Sequence, residues 1–410
     1  MKVLHISTYP WGGAFNGTYR LHKALLSSGI DSKILVNHEP INANLDNVHI
    51  YNTPKVKTTY FNRLTTKLGF PTTFCQKKSF YSSTHSPNYE IITFPFSDYD
   101  ITNSIHYKNA DVINIHWIAD FLDYKSFFKK VNKPIAWTLR DLSPLQGIFH
   151  YEEDITRNID TLGDVEGMFT SYKRDAIKRA KVPISVIGIS NWITKQSKSN
   201  KIFEGFPHHT IPNCINVDDF PLLEKAEAKR KLNIKADKII FSFASDDLLN
   251  PRKGLDLLYE AILRLPMLED VEVLTFGGGT PPVFPLQVIH RHFGHLGTKD
   301  LGTVMCASDA FIFPTREEAL GNVMLEAMAC GTPVIGTKVG GLVDVIKPGF
   351  NGIFLDEISS ENLSLSMMKF IEVKESFCSE AIREFIVENF SEKNIVEQYM
   401  HVYKSLLNSY

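Results

Sequence analysis

The chain has 410 residues, which is more than one ordinary hydrophobic core contains, so its length predicts two domains. Its content of 43% hydrophobic and 22% charged residues is typical of a soluble globular protein. The net charge of -2 excludes the overall basic field that many nucleic-acid-binding proteins carry, and we expect no nucleic-acid partner.

Five cysteines are scattered along the chain without a C-x-x-C pair, which favours a reducing compartment and argues against a disulfide framework or a zinc site. The H-x-H-x-x-H cluster at residues 290–295 has no acidic ligand nearby, so we predict no metal site. The N-terminal segment has one lysine and a short, interrupted apolar run, which predicts a first strand rather than a signal peptide. No window approaches the roughly 18 apolar residues of a membrane span. We therefore expect a cytoplasmic protein, with any membrane contact peripheral.

The first residues follow a βαβ pattern. Residues 2–7 predict a strand, residues 8–17 a glycine loop, residues 18–28 an amphipathic helix and residues 32–36 a second strand. Such a loop lies at the ligand-bearing edge of a parallel sheet. The loop lacks the G-x-G-x-x-G pattern and no acidic residue follows at the expected place, so a dinucleotide site is not favoured.

A basic and aromatic segment lies between Asp46 and Glu90, with no acidic side chain between these two residues. Basic side chains interleaved with aromatic ones can dock on an anionic membrane surface or a lipid diphosphate. The alternative is an ordinary insertion with a solvated basic face, which several proline and glycine turn breakers favour. A peripheral membrane contact through residues 55–80 is therefore one of two interpretations of this segment.

Two further apolar strands, at residues 111–117 and 134–139, each end at a polar cluster. Ligands bind at the carboxyl ends of strands in α/β sheets, so His116, Arg140 and Asp141 are candidate site residues. The alternative for a single histidine at a strand end is a structural hydrogen bond. Arg140 is able to pair with a phosphate.

Residues 212–220 form a polar and turn-rich segment, and we place the domain boundary there. After this segment, predicted strands and helices alternate again. Arg252 and Lys253 come immediately before a helix that is predicted over residues 254–265. A cation pair there can neutralise a diphosphate leaving group, which eases cleavage of the bond because negative charge accumulates on that group. The alternative is a pair of solvated charges.

The stretch at residues 311–341 predicts a strand, a loop, a helix, a second strand and a glycine turn. Glu318 lies in the loop, and Glu326 lies about one turn inside the helix. The helix N-terminus between them favours an anion, through its N–H groups and the positive end of its dipole. A phosphate flanked by two carboxylates suits a nucleotide sugar, which has hydroxyls at both ends. The alternative is two solvated glutamates on a surface helix.

The same stretch resembles the donor-site signature of retaining GT-B glycosyltransferases of glycosyltransferase family 4. That family carries two glutamates separated by seven residues, then E-A-M-A-x-G-x-P-V and a G-G pair. The chain has Glu318 and Glu326 at this spacing, the run EAMACGTPV at residues 326–334 and a glycine pair at residues 340–341. One departure is Ala-Leu at residues 319–320, where the family usually has Gly-Phe or Ser-Phe.

This resemblance implies the GT-B fold, an α/β architecture in which two Rossmann-like domains face each other across a cleft. An acceptor-binding domain would span residues 1–212, together with a C-terminal helix at residues 390–410 that crosses back to it. A nucleotide-sugar donor domain would span residues 213–389.

The resemblance also implies a metal-independent glycosyltransferase without a cofactor, which uses a nucleoside diphosphate sugar as donor and retains the anomeric configuration. Glu326 would bind the ribose hydroxyls, and Glu318 the hydroxyls of the donor sugar. Lys253 and Arg252 would bind the diphosphate. The predicted catalytic residues are Glu318, Lys253, Arg252 and His116, and the predicted donor-binding residues are Gly13, Gly321, Asn322, Val323, Glu326 and Leu296.

The pattern N-x-H-W, which ends at Trp117, and the later W-T-L-x-D resemble a bacterial capsule and exopolysaccharide branch of the family. That branch has a histidine before the aspartate, where this chain has Arg140. The branch implies that the acceptor is a saccharide on a lipid carrier and that the protein works at the inner face of the membrane.

Two other functions fit the same sequence. A GT-B-like nucleotide-sugar epimerase would need acid–base residues in the same site, and the E-A-M-A-x-G block with its paired glutamates favours the transferase. A non-catalytic, nucleotide-sugar-binding scaffold would keep the fold without turnover, against which the presence of Glu318, Lys253 and Glu326 argues. A sugar-transfer assay separates the three, since only the transferase needs a second substrate.

Overall fold

The computed structural model describes residues 1–40, 45–52, 77–78, 89–266 and 268–410. The chain divides into two compact units, of which the first consists of Met1–Ile211 and Val396–Tyr410 and the second of Pro212–Ile395. The predicted membrane-contact segment lies outside the described residues except for Lys77 and Lys78, so that contact stays a prediction.

In the described part of the first unit, seven strands form a parallel sheet in the order β3-β2-β1-β4-β5-β6-β7. The central strands are buried along their whole length, as expected for a parallel sheet with both faces covered. The strands are β1 (Lys2–Ile6), β2 (Asp31–Val36), β3 (Val48–Ile50), β4 (Val112–Ile115), β5 (Ile135–Leu139), β6 (Ile184–Gly188) and β7 (His208–Thr210).

The helices described between these strands are α1 (Gly12–Ser27), α2 (Ile105–Asn109), α3 (Tyr124–Lys130), α4 (Glu152–Ile177) and α5 (Asn191–Ser199). Helix α1 begins six residues before the start predicted for it, so the predicted glycine loop is wrong beyond Trp11, and Gly13 lies in the first turn of the helix. The physical reason is that the buried face of α1 extends back to Phe15, which packs with Ile34 and Val36 of β2.

The second unit contains a sheet of six strands in the order β10-β9-β8-β11-β12-β13. Each neighbouring pair is parallel. The strands are β8 (Ile239–Ser245), β9 (Val271–Gly277), β10 (Ile289–His292), β11 (Ala310–Phe313), β12 (Val334–Gly336) and β13 (Gly352–Phe354). The helices of this unit are α6 (Lys225–Lys231), α7 (Leu255–Ile262), α8 (Thr298–Ala307), α9 (Asn322–Ala329), α10 (Leu342–Val345), α11 (Ser360–Val373) and α12 (Ser379–Phe390).

The C-terminal helix α13 (Glu392–Asn408) returns to the first unit, as the resemblance implied. The hydroxyl of Tyr403 accepts a hydrogen bond of 2.7 Å from Nδ2 of Asn114, in the middle of β4. Both residues are buried, so this contact anchors the helix inside the first unit. No helix in the described part of the chain combines the length and the apolar character that crossing a bilayer would require.

Candidate functional site

The loop at residues 314–321 joins the carboxyl end of β11 to helix α9, and a glycine turn after β12 fixes its path. The N–H of Gly341 donates a hydrogen bond of 3.0 Å to the carbonyl of Glu318. Gly340 has a φ of +51°, and a Cβ at that position would lie 1.8 Å from the same carbonyl. Only glycine permits this close approach, so the predicted glycine turn supports the backbone of Glu318 directly.

Helix α9 begins at Asn322, immediately after Gly321, which adopts the left-handed conformation with a φ of +88°. A Cβ on Gly321 would lie 2.5 Å from the ring of Phe313, at the end of β11. The sharp turn thus brings the first N–H groups of the helix to the carboxyl edge of the sheet, where such groups suit an anion. The side chain of Asn322 accepts a hydrogen bond of 2.7 Å from Asn213.

A short turn at Pro251–Lys253 is bound to the same loop through its backbone. The carbonyl of Arg252 accepts hydrogen bonds from the N–H of Arg316 at 2.7 Å and from the hydroxyl of Thr315 at 3.0 Å. The guanidinium of Arg316 forms two further bonds with Asp256, at 3.0 and 2.6 Å. These contacts place the predicted cation pair beside Glu318.

Lys253, Arg252 and Glu318 form one compact charged cluster. Nζ of Lys253 donates to Oε2 of Glu318 at 2.7 Å, and Nη1 of Arg252 lies 3.8 Å from the same oxygen. The three side chains are only 11% to 20% exposed. Burial raises the pKa of Glu318, but the charges of Lys253 and Arg252 outweigh it and hold the pKa below its ordinary value. Glu318 is therefore ionised at neutral pH, and the cluster carries a net positive charge.

The remaining predicted donor-binding residues of the second unit lie at the same carboxyl edge. Glu326 is half-buried, one turn inside α9, and Val323 lies in the first turn of that helix. Leu296 lies in the loop after β10, which is separated from β11 by β9 and β8. Gly13 and His116 belong to the first unit.

The histidines that suggested an H-x-H-x-x-H cluster make other contacts. His290 and His292 each hydrogen-bond the hydroxyl of Thr275, at 2.8 and 3.1 Å, and burial lowers the pKa of His290 to about 4. Among the described residues, no three His, Cys, Asp or Glu side chains are placed so that they could hold a metal ion.

His116 lies at the carboxyl end of β4 with both ring nitrogens engaged. Nη2 of Arg140 lies 3.1 Å from Nδ1 of His116, and Nε2 of His116 lies 2.8 Å from Nδ1 of His5. Since arginine only donates, Nδ1 of His116 accepts, and its Nε2–H donates to His5. Burial, followed by the charge of Arg140, lowers the pKa of His116 well below its ordinary value. This geometry supports the structural alternative for His116, whose predicted catalytic role stays a prediction.

Asp141 is the centre of a hydrogen-bond network whose members lie apart in sequence. Its carboxylate accepts bonds from Nε1 of Trp117 and Nδ1 of His150, both at 2.7 Å, and from the N–H of Ser143 at 3.0 Å. Burial raises the pKa of Asp141, but His150 and Ser143 lower it below its ordinary value. His150 follows Asp141 by nine residues in sequence, and the contact between them depends on how the chain folds back.

Comparison with known proteins agrees with the resemblance at the level of fold and domain. Residues 224–384 match the family described as Glycosyl transferases group 1. The chain is similar to D-inositol 3-phosphate glycosyltransferase of Geodermatophilus obscurus, with 31% identity over 165 residues, 36% of each protein. Matches to the curated relatives span about half of their length or less.

Two solved structures match over the whole chain. Sucrose-phosphate synthase from Thermosynechococcus elongatus has a TM-score of 0.73 at 17% identity, and all of both chains is covered. Anabaena HepE, in complex with UDP and glucose, has a TM-score of 0.66 at 16% identity and covers 99% of this chain and 100% of its own. These matches confirm the GT-B fold, and with the domain match they confirm the resemblance to the GT-B glycosyltransferases.

Proposed function

We propose that the chain, whose second unit matches the group 1 glycosyltransferases, is a retaining glycosyltransferase. It transfers a sugar from a nucleoside diphosphate sugar to a saccharide acceptor on a lipid carrier. The observation that carries the proposal is the cluster of Lys253, Arg252 and Glu318 beside the N-terminus of helix α9. The solved complex of HepE with UDP and glucose supports a donor of this class.

The donor would lie across this cluster. The diphosphate would take the charges of Lys253 and Arg252 together with the N–H groups at the start of α9, so that positive charge meets the leaving group without a metal. Glu326 would bind the ribose hydroxyls. Glu318, kept ionised by its two cations, would accept hydrogen bonds from the hydroxyls of the donor sugar.

In the proposed reaction, the bond between the anomeric carbon and the diphosphate oxygen breaks, and a new bond forms between that carbon and an acceptor hydroxyl. The acceptor attacks from the side on which the diphosphate departs, which retains the configuration. The proton of the hydroxyl moves to the departing diphosphate oxygen. The protein contributes position and charge stabilisation rather than a nucleophile.

A thermal-shift screen of the full chain against UDP, GDP, ADP, CMP and dTDP, with and without EDTA, tests the donor site. A ligand that binds only the folded state raises the melting temperature. We expect one nucleoside diphosphate to raise it equally with and without EDTA. The absence of any shift would contradict the proposed donor site, and a shift that EDTA abolishes would contradict metal independence.

A sugar-transfer assay with the donor that the screen identifies tests turnover. The expected result is release of nucleoside diphosphate that depends on an added saccharide acceptor. Conversion of the donor into another nucleotide sugar without an acceptor would instead indicate an epimerase. Binding without either reaction would indicate a scaffold.

A further inference from the structure

The first residue of helix α9 is held by a side chain from a segment that joins the two units. The chain passes from the first unit to the second between Ile211 and Pro212, and we call residues 212–215 the joining segment. Nδ2 of Asn213 donates a hydrogen bond of 2.7 Å to Oδ1 of Asn322, although 109 residues separate them in sequence. The joining segment is therefore in direct contact with the start of α9.

The joining segment is fixed on the second unit. The N–H of Ile215 donates a hydrogen bond of 2.9 Å to the carbonyl of Phe390, at the end of α12. Cys214 and Ile215 are buried, and Asn213 is only 6% exposed. A buried amide side chain on a fixed backbone has little freedom to turn, so Asn213 presents its donor to Asn322 in one defined direction.

Asn322 lies where the diphosphate of the proposed donor would bind. Its neighbour Gly321 is so close to the charged cluster that a Cβ there would lie 3.5 Å from Cγ of Glu318. The carboxylate of Glu318 is in turn the partner of Lys253 and Arg252. The amide of Asn322 is thus a polar group at the N-terminus of α9, next to the predicted cation pair.

The orientation of an asparagine amide decides the charge that it offers to an anion. Its NH2 end donates hydrogen bonds, whereas its oxygen accepts them and repels a phosphate oxygen. The two ends exchange places by a half-turn about a bond whose torsion is soft. The hydrogen bond from Asn213 engages the oxygen of Asn322, so it selects the orientation in which the NH2 end is turned away from the joining segment.

We propose that Asn213 is a positioning residue of the donor site: it holds the oxygen of Asn322 so that the NH2 end of that amide serves the diphosphate. The inference rests on the proposed function, because it assigns a role within the donor site of that reaction. It adds that a side chain from the joining segment completes this site. Since coupling between two sites is reciprocal, donor binding should in turn stabilise the joining segment.

Isothermal titration calorimetry with the nucleoside diphosphate that raises the melting temperature tests this role. Asn213→Ala should weaken its affinity about fivefold, which corresponds to about 1 kcal/mol for a lost hydrogen bond. Asn322→Ala should weaken it about tenfold, because this substitution removes the donor to the diphosphate itself. The double variant should bind no more weakly than Asn322→Ala, because Asn213 acts only through Asn322. Additive losses would overturn the assignment.

Asn213→Asp gives a second test in which the side chain keeps its shape. A carboxylate only accepts, so the amide of Asn322 has to turn its NH2 end toward position 213 and its oxygen toward the diphosphate. Affinity should therefore fall more than for Asn213→Ala. The same substitution in the Asn322→Ala background measures the repulsion by the added charge alone. If Asn213→Asp weakens binding by the same factor in both backgrounds, the role of Asn213 is not to orient the amide.

Asn351→Ala is the matched control. Asn351 is a buried asparagine of the same unit, and its side chain bonds the N–H of Lys347 at 2.6 Å and the carbonyl of Val345 at 3.0 Å. It immediately precedes β13, at the amino edge of the sheet. This variant should lower the free energy of unfolding and leave nucleotide affinity unchanged. If it weakens affinity as much as Asn213→Ala does, the effect of Asn213 is one of general stability.

Hydrogen exchange in the joining segment is a readout that a purely structural role would not change. At saturating nucleoside diphosphate, exchange of the backbone N–H groups at residues 213–215 should become slower in the wild-type chain. Asn213→Ala and Asn322→Ala should both lose this protection, since each breaks the contact between the segment and α9. Protection of the same size in both variants would contradict the coupling.

The outcomes distinguish this inference from the proposed function. If no nucleotide binds to the full chain, the proposed function itself fails. If a nucleoside diphosphate binds equally well to the wild-type chain and to Asn213→Ala, the positioning role fails although the donor site stands.

Discussion

Nζ of Lys253 lies 2.7 Å from Oε2 of Glu318, although 65 residues separate them in sequence. The ammonium group keeps the carboxylate ionised, and the carboxylate orients the ammonium group at the edge of the sheet where helix α9 begins. A diphosphate that enters this site would meet a lysine and an arginine that are already in place. Such preorganisation lowers the cost of binding and of stabilising charge in the transition state.

The first prediction concerns Lys253. Lys253→Met keeps the length of the side chain and removes its charge, so we expect affinity for the nucleoside diphosphate to fall by about 10- to 100-fold, as for the loss of a charged hydrogen bond. Isothermal titration calorimetry measures this change. Lys347→Met is the control, because Lys347 is an exposed lysine of the same unit. Equal affinity of Lys253→Met and wild type would exclude Lys253 from the diphosphate site.

The second prediction separates the roles of the two glutamates. Glu326→Ala should abolish or greatly weaken nucleotide binding and leave the fold intact, because it removes the proposed acceptor for the ribose hydroxyls. Glu318→Ala should reduce turnover more than nucleotide affinity, because Glu318 is proposed to bind the donor sugar rather than the nucleotide. Calorimetry gives the affinities, and initial rates at saturating donor give the turnover. Losses of the same size in both quantities for Glu318→Ala would contradict the division of roles.

The third prediction concerns the glycine turn. Gly340→Ala places a Cβ 1.8 Å from the carbonyl of Glu318 and should displace the loop at residues 314–321. We expect loss of nucleotide binding and a decrease of the free energy of unfolding by a few kcal/mol, on the order that overpacking costs. The measurements are urea unfolding and calorimetry.

Gly349→Ala is the matched control for that substitution. Gly349 also has a positive φ, of +79°, but a Cβ there meets nothing within 4 Å. For Gly349→Ala, the free energy of unfolding should therefore fall only by the strain of an alanine in the left-handed conformation, which is about 1 kcal/mol. If Gly349→Ala impairs nucleotide binding as strongly as Gly340→Ala, close approach to Glu318 is not the reason that glycine occupies position 340.

The fourth prediction is a pH dependence in the first unit. His22 is buried between the hydroxyl of Ser32, at 2.7 Å, and the carbonyl of Asp46, at 3.0 Å. Burial lowers its pKa from 6.5 to about 4. The unfolded chain binds the proton first as pH falls below 6.5, so His22 should lower the free energy of unfolding by about 3 kcal/mol between pH 7 and pH 4.

Urea denaturation of wild type and His22→Gln over this pH range isolates the contribution of His22. The difference in the free energy of unfolding between the two proteins should narrow or reverse as pH falls, because glutamine does not titrate. The pKa values of His5 and His116 are lowered by burial too, so His22→Gln should retain part of the acid sensitivity. A difference that is constant with pH would contradict the lowered pKa of His22.

The fifth prediction concerns the C-terminal helix. Tyr403→Phe removes the hydroxyl that accepts from Asn114 and leaves a buried amide without this partner. We expect the free energy of unfolding to fall by about 1–3 kcal/mol. Tyr410→Phe is the control, because it also removes a hydrogen bond, from the Tyr410 hydroxyl to the carbonyl of Asn132. Since Tyr410 is exposed, this variant should lower the free energy of unfolding by less. If urea denaturation gives the same decrease in the free energy of unfolding for both variants, the contact with β4 does not anchor the helix.

Much of the second unit was predictable because its sequence signals are local. The spacing of Glu318 and Glu326, the helix between Gly321 and Gly331 and the glycine pair at residues 340–341 are all visible in one short stretch. Each depends on a backbone preference or on a short-range pattern, which the fold preserves. The start of α1 was misplaced because glycines were interpreted as a loop, while the burial of Phe15 against β2 favoured a helix.

The sequence by itself determined the two α/β halves, the parallel strands and the residue types at their carboxyl ends. Only the tertiary structure decided which of these ends are neighbours. The strand order β2-β1-β4-β5 brings His38, Tyr9, Trp117 and Asp141 to one edge, and packing sets His116 between His5 and Arg140. Sheet order is a property of how distant segments pair, which local preferences do not specify. The convergence of these side chains and the hydrogen bonds at both ring nitrogens of His116 therefore became visible only in the fold.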